Sequence, residues 1–276
     1  MTVGPPSSGG RDPVAIVTGA NHGIGAATAE RLAGRGARVL VTGLPIEESP
    51  DPAIPDAYYV ARRRDPAQVA DRVRAVGGLA VALALDLVAD DAATSLYDAA
   101  EAAFDAPVRI LVHNATGWVG DSFTGPTTDH VGRTTAAVTT VSFDQQFAVD
   151  ARAGALLIAE HARRHRARGD DWGRIVTLSS GGPDGFPSEA SYGAAKAALD
   201  NYAMTAAAEL GSVGITANAV MPPVTDTGWV TEPVRRFVGG SWAHHHVAAP
   251  AEVAVVLDWL CSDDAWLVTG NRIVLR

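Results

Sequence analysis

The sequence predicts an α/β fold in which a doubly wound parallel sheet of about seven strands carries helices on both faces. Short apolar runs rich in β-branched residues alternate with longer helical patterns from Pro13 to the end of the chain. Hydrophobic residues make up 47% of the chain and charged residues 19%, which suits a large buried core. No internal repeat or change in composition marks a second domain, so residues 13–276 are predicted to form one unit.

The charge and the composition also exclude several classes of protein. A net charge of −9 argues against nucleic acid or an anionic membrane as a partner. The single cysteine, Cys261, excludes internal disulfides and thiolate metal clusters and suits the reducing cytoplasm. No apolar run is long enough to span a membrane. Residues 1–12 are rich in Gly, Pro and Ser and are predicted to be a flexible tail, not a signal peptide.

The first strand is predicted at Val14–Val17, and a helical pattern follows as far as Gly34. Between them lies a glycine-rich turn, Thr18-Gly19-Ala20-Asn21-His22-Gly23-Ile24-Gly25. Glycines let the backbone approach a pyrophosphate, and the helix N-terminus offers free N–H groups. The glycines could serve only a tight turn, but strand, turn and helix in this spacing favour dinucleotide binding.

The second strand, 38–42, bears on the choice of dinucleotide. It ends at Gly43, where a carboxylate would hold the ribose 2′-OH of NAD. Because Gly43 offers no carboxylate, NADP(H) is favoured over NAD(H). A basic partner for the 2′-phosphate is less obvious: His22 is one candidate. The run Arg62-Arg63-Arg64 is another, although such a run is more typical of a solvated face.

The other elements follow from periodicity and turn residues. Further helices are predicted at 66–77, at 94–104, at 143–168 with Ser142 as its cap, after Tyr192, and at Pro250–Leu260. Further strands are predicted at 79–85, 108–112, 174–178, Ile215–Met221 and 271–275. Two connections, 45–66 and 117–141, are predicted to be irregular, and 224–246 is a further long connection.

The last two connections are long enough to shape a substrate pocket. Trp229 and Trp242 in 224–246 could form a wall or lid over a substrate, or could simply pack. The run His244-His245-His246 in the same connection does not predict a metal site. Consecutive side chains point in different directions, and no acidic or cysteine partner stands at ligand spacing.

A candidate acid–base pair follows the strand at 174–178. That strand runs into Ser179-Ser180, and a Gly/Pro loop then leads to Tyr192 and Lys196 at the start of an alanine-rich helix. Residues four apart lie on one helix face, so the phenol and the ammonium can reach the same volume. A nearby cation should lower the pKa of Tyr192 from about 10 and make it a proton donor or acceptor. Tyr-x-x-x-Lys alone is common by chance.

Taken together, the motifs resemble those of the short-chain dehydrogenase/reductase family over nearly the whole chain, which implies a Rossmann fold. The glycine turn resembles the family's coenzyme turn, with Gly19, Asn21, His22, Gly23, Ile24 and Gly25 at the cofactor. Asp86-Leu87 resembles the adenine-contacting pair, Asn114-Ala115 the central-strand motif, and Pro222 with Thr227 the segment that meets the nicotinamide. Ser180, Tyr192 and Lys196 resemble the catalytic trio, the last two also touching the cofactor.

The resemblance implies an NADP(H)-dependent oxidoreductase that interconverts a ketone or aldehyde and an alcohol, either 3-oxoacyl-reductase-like or a general carbonyl reductase. Tyr192 would exchange the proton, Ser180 would hold the carbonyl oxygen, and Lys196 would hold the nicotinamide ribose. Ser180 is preferred to Ser179 because strand register sets side-chain direction. The alternatives are an NAD-dependent alcohol dehydrogenase of the same family and a dinucleotide-binding sensor without turnover. An enoyl reductase is disfavoured by the short Tyr-to-Lys spacing.

The chain departs from the family pattern at several positions. Asp150 stands where the family usually has asparagine, and a carboxylate there would compete for the charge of Lys196. Thr116 and Pro223 each replace a more usual glycine, and the chain ends at Leu275-Arg276 without the usual Gly-Gly. Similar family members associate through the alanine-rich helix, which implies a homotetramer or dimer.

Overall fold

The computed structural model describes residues 12–48, 50–182 and 184–276. Of the predicted tail, only Asp12 lies within these ranges. The described residues form an α/β fold around a seven-stranded sheet in which every pair of neighbouring strands is parallel. Helices cover both faces, so the predicted fold class is confirmed.

The elements are numbered in chain order. The strands of the described residues are β1 Val14–Val17, β2 Arg38–Gly43, β3 Leu79–Ala84, β4 Val108–His113, β5 Asp121–Ser122, β6 Thr127–Thr128, β7 Thr134–Ala137, β8 Gly173–Leu178, β9 Ile215–Met221 and β10 Asn271–Val274. The α-helices are α1 Gly23–Gly34, α2 Asp56–Arg62, α3 Ala67–Ala75, α4 Ala92–Phe104, α5 Thr140–Gln146, α6 Ala153–Arg168, α7 Ala190–Leu210, α8 Glu232–Gly239 and α9 Pro250–Leu260. A π-helical turn, Phe147–Arg152, joins α5 to α6.

The strand order β10-β9-β8-β4-β1-β2-β3 places β1 and β4 side by side at the centre of the sheet. The chain builds outwards from β1 in one direction and from β4 in the other, so the order reverses between them. In sheets of this kind a crevice opens at the carboxyl ends of the strands where the order reverses, and ligands bind there. The glycine turn follows β1 at this point.

Two apolar clusters, one on each face, hold the sheet between the helices. Along β1, Ala15 and Val17 belong to the cluster that includes Leu32 of α1 and Leu257 of α9. Val14 and Ile16 of the same strand belong to the other cluster, which includes side chains of α4, α6 and α7. A strand buried on both faces must be apolar at every position, which is the pattern of β1.

The two connections predicted to be irregular, 45–66 and 117–141, contain regular structure, so that prediction is wrong, and the third long connection also contains a helix. The segment 45–66 contains α2, which follows Pro55 and has Asp56 in its first turn. The connection 117–141 contains β5, β6 and β7, which form a small sheet in the order β5-β7-β6. The connection 224–246 contains α8, with a proline in its first turn. These elements are short, and periodicity is a weak signal over so few residues.

The helix predicted at 143–168 begins earlier and is not regular. It starts at Thr140, and the cap is Thr139, whose Oγ1 accepts from the backbone N of Ser142 at 3.1 Å. Ser142 returns the contact, because its Oγ accepts from the backbone N of Thr139 at 3.0 Å. Ser142 is therefore the third helical residue of a capping box and not the cap. The π-helical turn after α5 carries Asp150 into the interior of the protein.

No helix within the described ranges combines the length and the apolar character needed to cross a membrane.

Candidate active site

The glycine turn lies at the carboxyl ends of β1 and β4 and is braced by the residues after β4. Asn114 donates from Nδ2 to the carbonyl oxygens of Thr18 and Gly19, at 3.1 and 2.9 Å. Oγ1 of Thr18 accepts from the backbone N–H groups of Asn114 and Ala115, both at 3.1 Å. The Asn114-Ala115 pair therefore fixes the shape of the turn.

The turn has no room for side chains at its glycines. A Cβ at Gly19, which has a φ of +60°, would lie 2.7 Å from Cα of Ala115. A Cβ at Gly25 would lie 2.4 Å from the carbonyl oxygen of Gly19. The bare backbone and the N-terminus of α1 fit the requirements of a dinucleotide pyrophosphate.

The predicted nicotinamide-side residues also reach this turn. A Cβ at Gly23 would lie 2.8 Å from Cγ2 of Thr227, so the segment after β9 passes directly over the turn. Pro222 follows the last residue of β9 at the same edge of the sheet. Ile24 is only partly buried and packs against the core, so its side chain supports α1.

Asp86 and Leu87 lie after β3, the edge strand beside β2. Asp86 is exposed, and its Oδ1 accepts from the backbone N of Val88 at 3.0 Å. Leu87 is buried in the apolar cluster on the α4 face. Its side chain therefore serves the core, and only its backbone is available to an adenine.

The side chain of Asn21 ties the glycine turn to the end of α2. Its Nδ2 donates to the carbonyl oxygens of Arg62 and Arg64, at 3.1 and 3.3 Å. Burial, followed by the positive charges of Arg62 and Arg64, lowers the pKa of His22 to about 4, so its imidazole is neutral at neutral pH. His22 is therefore not the cationic phosphate partner that the sequence suggested.

The three consecutive arginines do not form one solvated face. Arg62 is buried. It forms an ion pair with Glu48 at 3.0 Å and donates to the hydroxyl of Tyr58 at 2.9 Å. Arg63 and Arg64 are exposed. Within the described part of the chain, the guanidinium of Arg64 makes no hydrogen bond or ion pair, while its charge acts on His22.

The two serines after β8 have different neighbours. Ser179 is buried, and its Oγ donates to Oδ2 of Asp200 at 2.7 Å, with Nε of Arg272 at 3.4 Å. Ser180 is half-buried, and its hydroxyl stands near enough to the phenol of Tyr192 to lower the pKa of that phenol. The structure therefore brings Ser180, and not Ser179, to the phenol.

Lys196 and Asp150 form a buried ion pair. Nζ of Lys196 lies 2.9 Å from Oδ1 of Asp150, and the two side chains are 2% and 0% exposed. Nζ also donates to the carbonyl oxygen of Leu178 at 2.7 Å. It lies 5.7 Å from the ring centroid of Tyr192. The other carboxylate oxygen of Asp150 accepts from Oγ1 of Thr116 at 3.1 Å and from the backbone N of Gly117 at 3.0 Å.

The prediction that Lys196 lowers the pKa of Tyr192 is wrong for this arrangement. Burial raises the pKa of Tyr192 well above its ordinary value, and the negative charges of Asp150 and Glu189 raise it further. The hydrogen bond with Ser180 acts in the opposite direction. Burial is the main cause, and the carboxylate of Asp150, which lies 2.9 Å from the cation of Lys196, adds to it.

A cluster centred on Arg133 joins both long connections to the start of α7. The guanidinium lies over the rings of Trp118 and Trp229, at 5.2 and 5.3 Å from their centroids. It donates to Asp129 at 2.6 Å and to Glu189 at 2.9 Å, and Trp118 also donates to Glu189. Glu189 precedes α7 directly, so this cluster stands beside Tyr192.

Trp242, the other tryptophan predicted to form a wall, is not part of that cluster. It is 85% exposed, and the guanidinium of Arg276 lies 5.5 Å from its ring centroid. Of the three consecutive histidines, His246 contacts Glu252 at 2.9 Å. Among the described residues, no group of three or more His, Cys, Asp or Glu side chains is placed to hold a metal ion.

Tyr58, Arg133 and Glu189 lie at the site but were not predicted from the sequence as site residues. Tyr58 of α2 lies beside the turn, with its ring centroid 6.3 Å from that of His22, and its phenol acts electrostatically on Tyr192. The position of Glu189, three residues before Tyr192 at a helix start, was a usable signal. Arg133 had no such signal in the sequence. Its position in the site depends on a chain reversal that Asp129 stabilises.

The site is that of a dinucleotide fold with a candidate proton donor at the carboxyl edge of its sheet. A family model described as enoyl-(acyl carrier protein) reductase matches residues 57–275. The NADPH-dependent aldehyde reductase-like protein of Arabidopsis thaliana chloroplasts is 33% identical over 266 residues, covering 94% of this chain and 91% of that protein. Versicolorin reductase stcU of Emericella nidulans is 31% identical over 277 residues, covering 94% and 92%.

A solved structure agrees with these relatives. The 3-oxoacyl (acyl-carrier-protein) reductase of Agrobacterium tumefaciens C58, crystallised with NADP, superposes with a TM-score of 0.75. It is 29% identical, and the match covers 96% of this chain and 93% of that one. The chain belongs to the short-chain dehydrogenase/reductase family. Its relatives are named reductases and dehydrogenases, and the protein is an oxidoreductase.

Proposed function

We propose that the protein is an NADP(H)-dependent reductase of a ketone or aldehyde, with Tyr192 as the proton donor. The observation that carries this proposal is the convergence of Ser180 and Lys196 on Tyr192. The Ser180 hydroxyl lowers the pKa of the phenol, and Nζ of Lys196 lies 5.7 Å from the centroid of its ring. The relatives named as aldehyde and 3-oxoacyl reductases support the same reaction class.

The proposed chemistry divides between cofactor and protein. Bound reduced nicotinamide would supply the hydride that adds to the carbonyl carbon. As that bond forms, the Tyr192 hydroxyl gives its proton to the carbonyl oxygen, and the product is the alcohol. The Ser180 hydroxyl donates to the same oxygen and stabilises its developing negative charge. Lys196 donates one N–H to the carbonyl oxygen of Leu178 and lies 2.9 Å from Asp150, and a further N–H of its ammonium can hold a ribose hydroxyl.

The test is turnover of a panel of ketones and aldehydes with NADPH. Tyr192→Phe removes the proton donor and should lower kcat by roughly a hundredfold or more. Tyr202→Phe, on the exposed side of the same helix, is the matched control and should leave kcat unchanged. If Tyr192→Phe retained wild-type turnover of a substrate that the protein reduces, the assignment of Tyr192 would be wrong.

The preference for NADP(H) rests on the end of β2. Gly43 provides no carboxylate for a ribose 2′-OH, and the guanidinium of Arg64, which has no partner among residues 12–48, 50–182 and 184–276, acts on His22. A cation without a protein partner is what a 2′-phosphate requires. NADPH should therefore bind more tightly than NADH. The opposite preference would support the alternative, an NAD-dependent alcohol dehydrogenase.

We also propose that the protein is cytoplasmic and forms a homotetramer or dimer through the alanine-rich helix α7. Small side chains on a helix permit close packing against a second copy. The molar mass in solution, measured by light scattering, tests this proposal, and a monomer would contradict it.

A further inference from the structure

We propose that Asp150 is a positioning residue that keeps Tyr192 in its protonated form over neutral and alkaline pH by balancing the charge of Lys196. The site is then set for carbonyl reduction, which consumes the phenol proton. This inference rests on the proposed function, since it assumes that Tyr192 is the proton donor.

We infer this role from the contacts of the two carboxylate oxygens of Asp150. One oxygen faces Nζ of Lys196 at 2.9 Å, and the other accepts from Thr116 and from the backbone of Gly117. Buried carboxylates persist only when they are paired and hydrogen-bonded in this way. Thr116 and Asp150, two departures from the family pattern, therefore form one unit: the threonine hydroxyl supplies a donor that glycine cannot.

The charges around the phenol come from four elements. Lys196 belongs to α7, and Glu189 directly precedes that helix. Asp150 belongs to the π-helical turn. Tyr58 approaches from α2 and acts electrostatically on Tyr192. His113 at the end of β4 is neutral, because burial, and then the charge of Lys196, lower its pKa to about 4.

The balance of these charges decides which form of Tyr192 is favoured. Glu189 is matched by Arg133 at 2.9 Å, and Lys196 is matched by Asp150 at 2.9 Å. The two cations nearest a phenolate at Tyr192, Arg133 and Lys196, would therefore both be compensated. An uncharged amide at position 150 would leave the ammonium unbalanced and free to stabilise the phenolate.

The consequence differs for the two directions of the reaction. Carbonyl reduction needs the phenol, so it should persist to alkaline pH. Alcohol oxidation needs the phenolate, so it should become efficient only at alkaline pH. Replacement of Asp150 by asparagine should move both limits to lower pH.

The experiment is an ultraviolet titration of tyrosinate, in which the curve of Tyr192→Phe is subtracted to isolate Tyr192 among the five tyrosines. It is carried out on the protein alone and on the protein saturated with NADP. In Asp150→Asn the midpoint of Tyr192 should fall by roughly 1 to 3 pH units relative to wild type. The alkaline limit of ketone reduction should fall with it.

Asp144→Asn is the matched control, because Asp144 is exposed in the preceding helix, and it should leave the midpoint unchanged. An unchanged or higher midpoint in Asp150→Asn would overturn the proposal. If that variant does not fold, the wild type alone still decides: a Tyr192 midpoint below about 10 would overturn it. The titration needs no turnover, so it tests the role of Asp150 separately from the reaction. The proposed function has its own test, because retention of activity by Tyr192→Phe would overturn it.

Discussion

Ser179 and Ser180 are adjacent in the chain but serve different neighbours in the fold. Both neighbours belong to α7: Ser179 contacts Asp200, whereas Ser180 acts on Tyr192 two turns earlier in the helix. Strand register favoured Ser180 from the sequence, and its catalytic role stays a prediction. The protonation of Tyr192 was not predictable in the same way. It depends on Asp150, which lies 42 positions earlier in the chain and reaches the site only through the fold.

The serine pair yields a paired prediction. Ser180→Ala should lower kcat by roughly a hundredfold, since it removes a donor to the developing oxyanion. Ser179→Ala should leave kcat near wild type but lower the melting temperature, since it removes a buried partner of Asp200. Steady-state kinetics and thermal unfolding of both variants check this. The reverse pattern would reassign the catalytic serine to Ser179.

Among the elements, α2 and the π-helical turn matter most to the site, and neither was predicted. A π-helical turn leaves the apolar spacing of α5 and α6 almost intact, so the sequence reads as one continuous helix. The helix α2 spans only Asp56–Arg62, and Pro and acidic residues around it obscure its pattern. Tertiary contacts decide its placement: Gly228 leaves no room for a Cβ beside the backbone of Tyr58, at 3.2 Å.

The residues that follow α2 carry the prediction on cofactor choice. Arg64→Ala should weaken NADPH binding about tenfold or more and leave NADH binding unchanged, because it removes a charge-assisted contact to the 2′-phosphate. Arg63→Ala is the matched control, as an exposed arginine whose charge does not act on His22. Fluorescence titration with each cofactor measures both effects. Equal losses for NADPH and NADH would place Arg64 away from the 2′-phosphate.

Gly43→Asp is a poorer test of the same question. The sequence alone suggests that it would shift the preference towards NAD. In the fold, however, a Cβ at Gly43 would lie 2.7 Å from Oδ1 of Asn21, which anchors the glycine turn. Any loss of NADPH binding would therefore combine a change in charge with a distorted turn.

For the whole molecule, the order of strands and helices was predictable because each long element is apolar in the period of its type. Val14–Val17, Ile215–Met221 and Pro250–Leu260 have the bounds expected from the sequence. The segments between them were not predictable, because their structure depends on contacts with distant parts of the fold. One example is the backbone N–H of Thr134, which donates to Asp51 at 2.7 Å across the site.

The buried histidines predict how the stability of the molecule depends on pH. Burial lowers the pKa of His113 to about 4 and of His161 to about 3, so both are neutral in the folded state. In the unfolded chain they bind protons below about pH 6.5, so the unfolded state is favoured as the pH falls. Each should reduce the free energy of unfolding by up to about 2 kcal/mol between about pH 7.5 and pH 5.

Urea unfolding at those two pH values measures this loss. His161→Gln cannot titrate and should lose less stability on acidification than the wild type does. His130→Gln, at an exposed position, should behave as the wild type. Equal pH dependence in all three proteins would exclude His161 as a source of acid sensitivity.

The π-helical turn also makes the Asp150–Lys196 ion pair sensitive to the number of residues in this helix. Over Phe147–Arg152 the helix accommodates one residue more than regular winding needs, so loss of a single residue there can restore an ordinary α-helix without displacing the core side chains of α6. The same loss within α6 would turn every later core residue by about 100°. A deletion at the turn redirects Asp150 while sparing the fold. A one-residue gap in this helix can therefore separate Asp150 from Lys196 as effectively as a substitution, although no residue of the ion pair has changed.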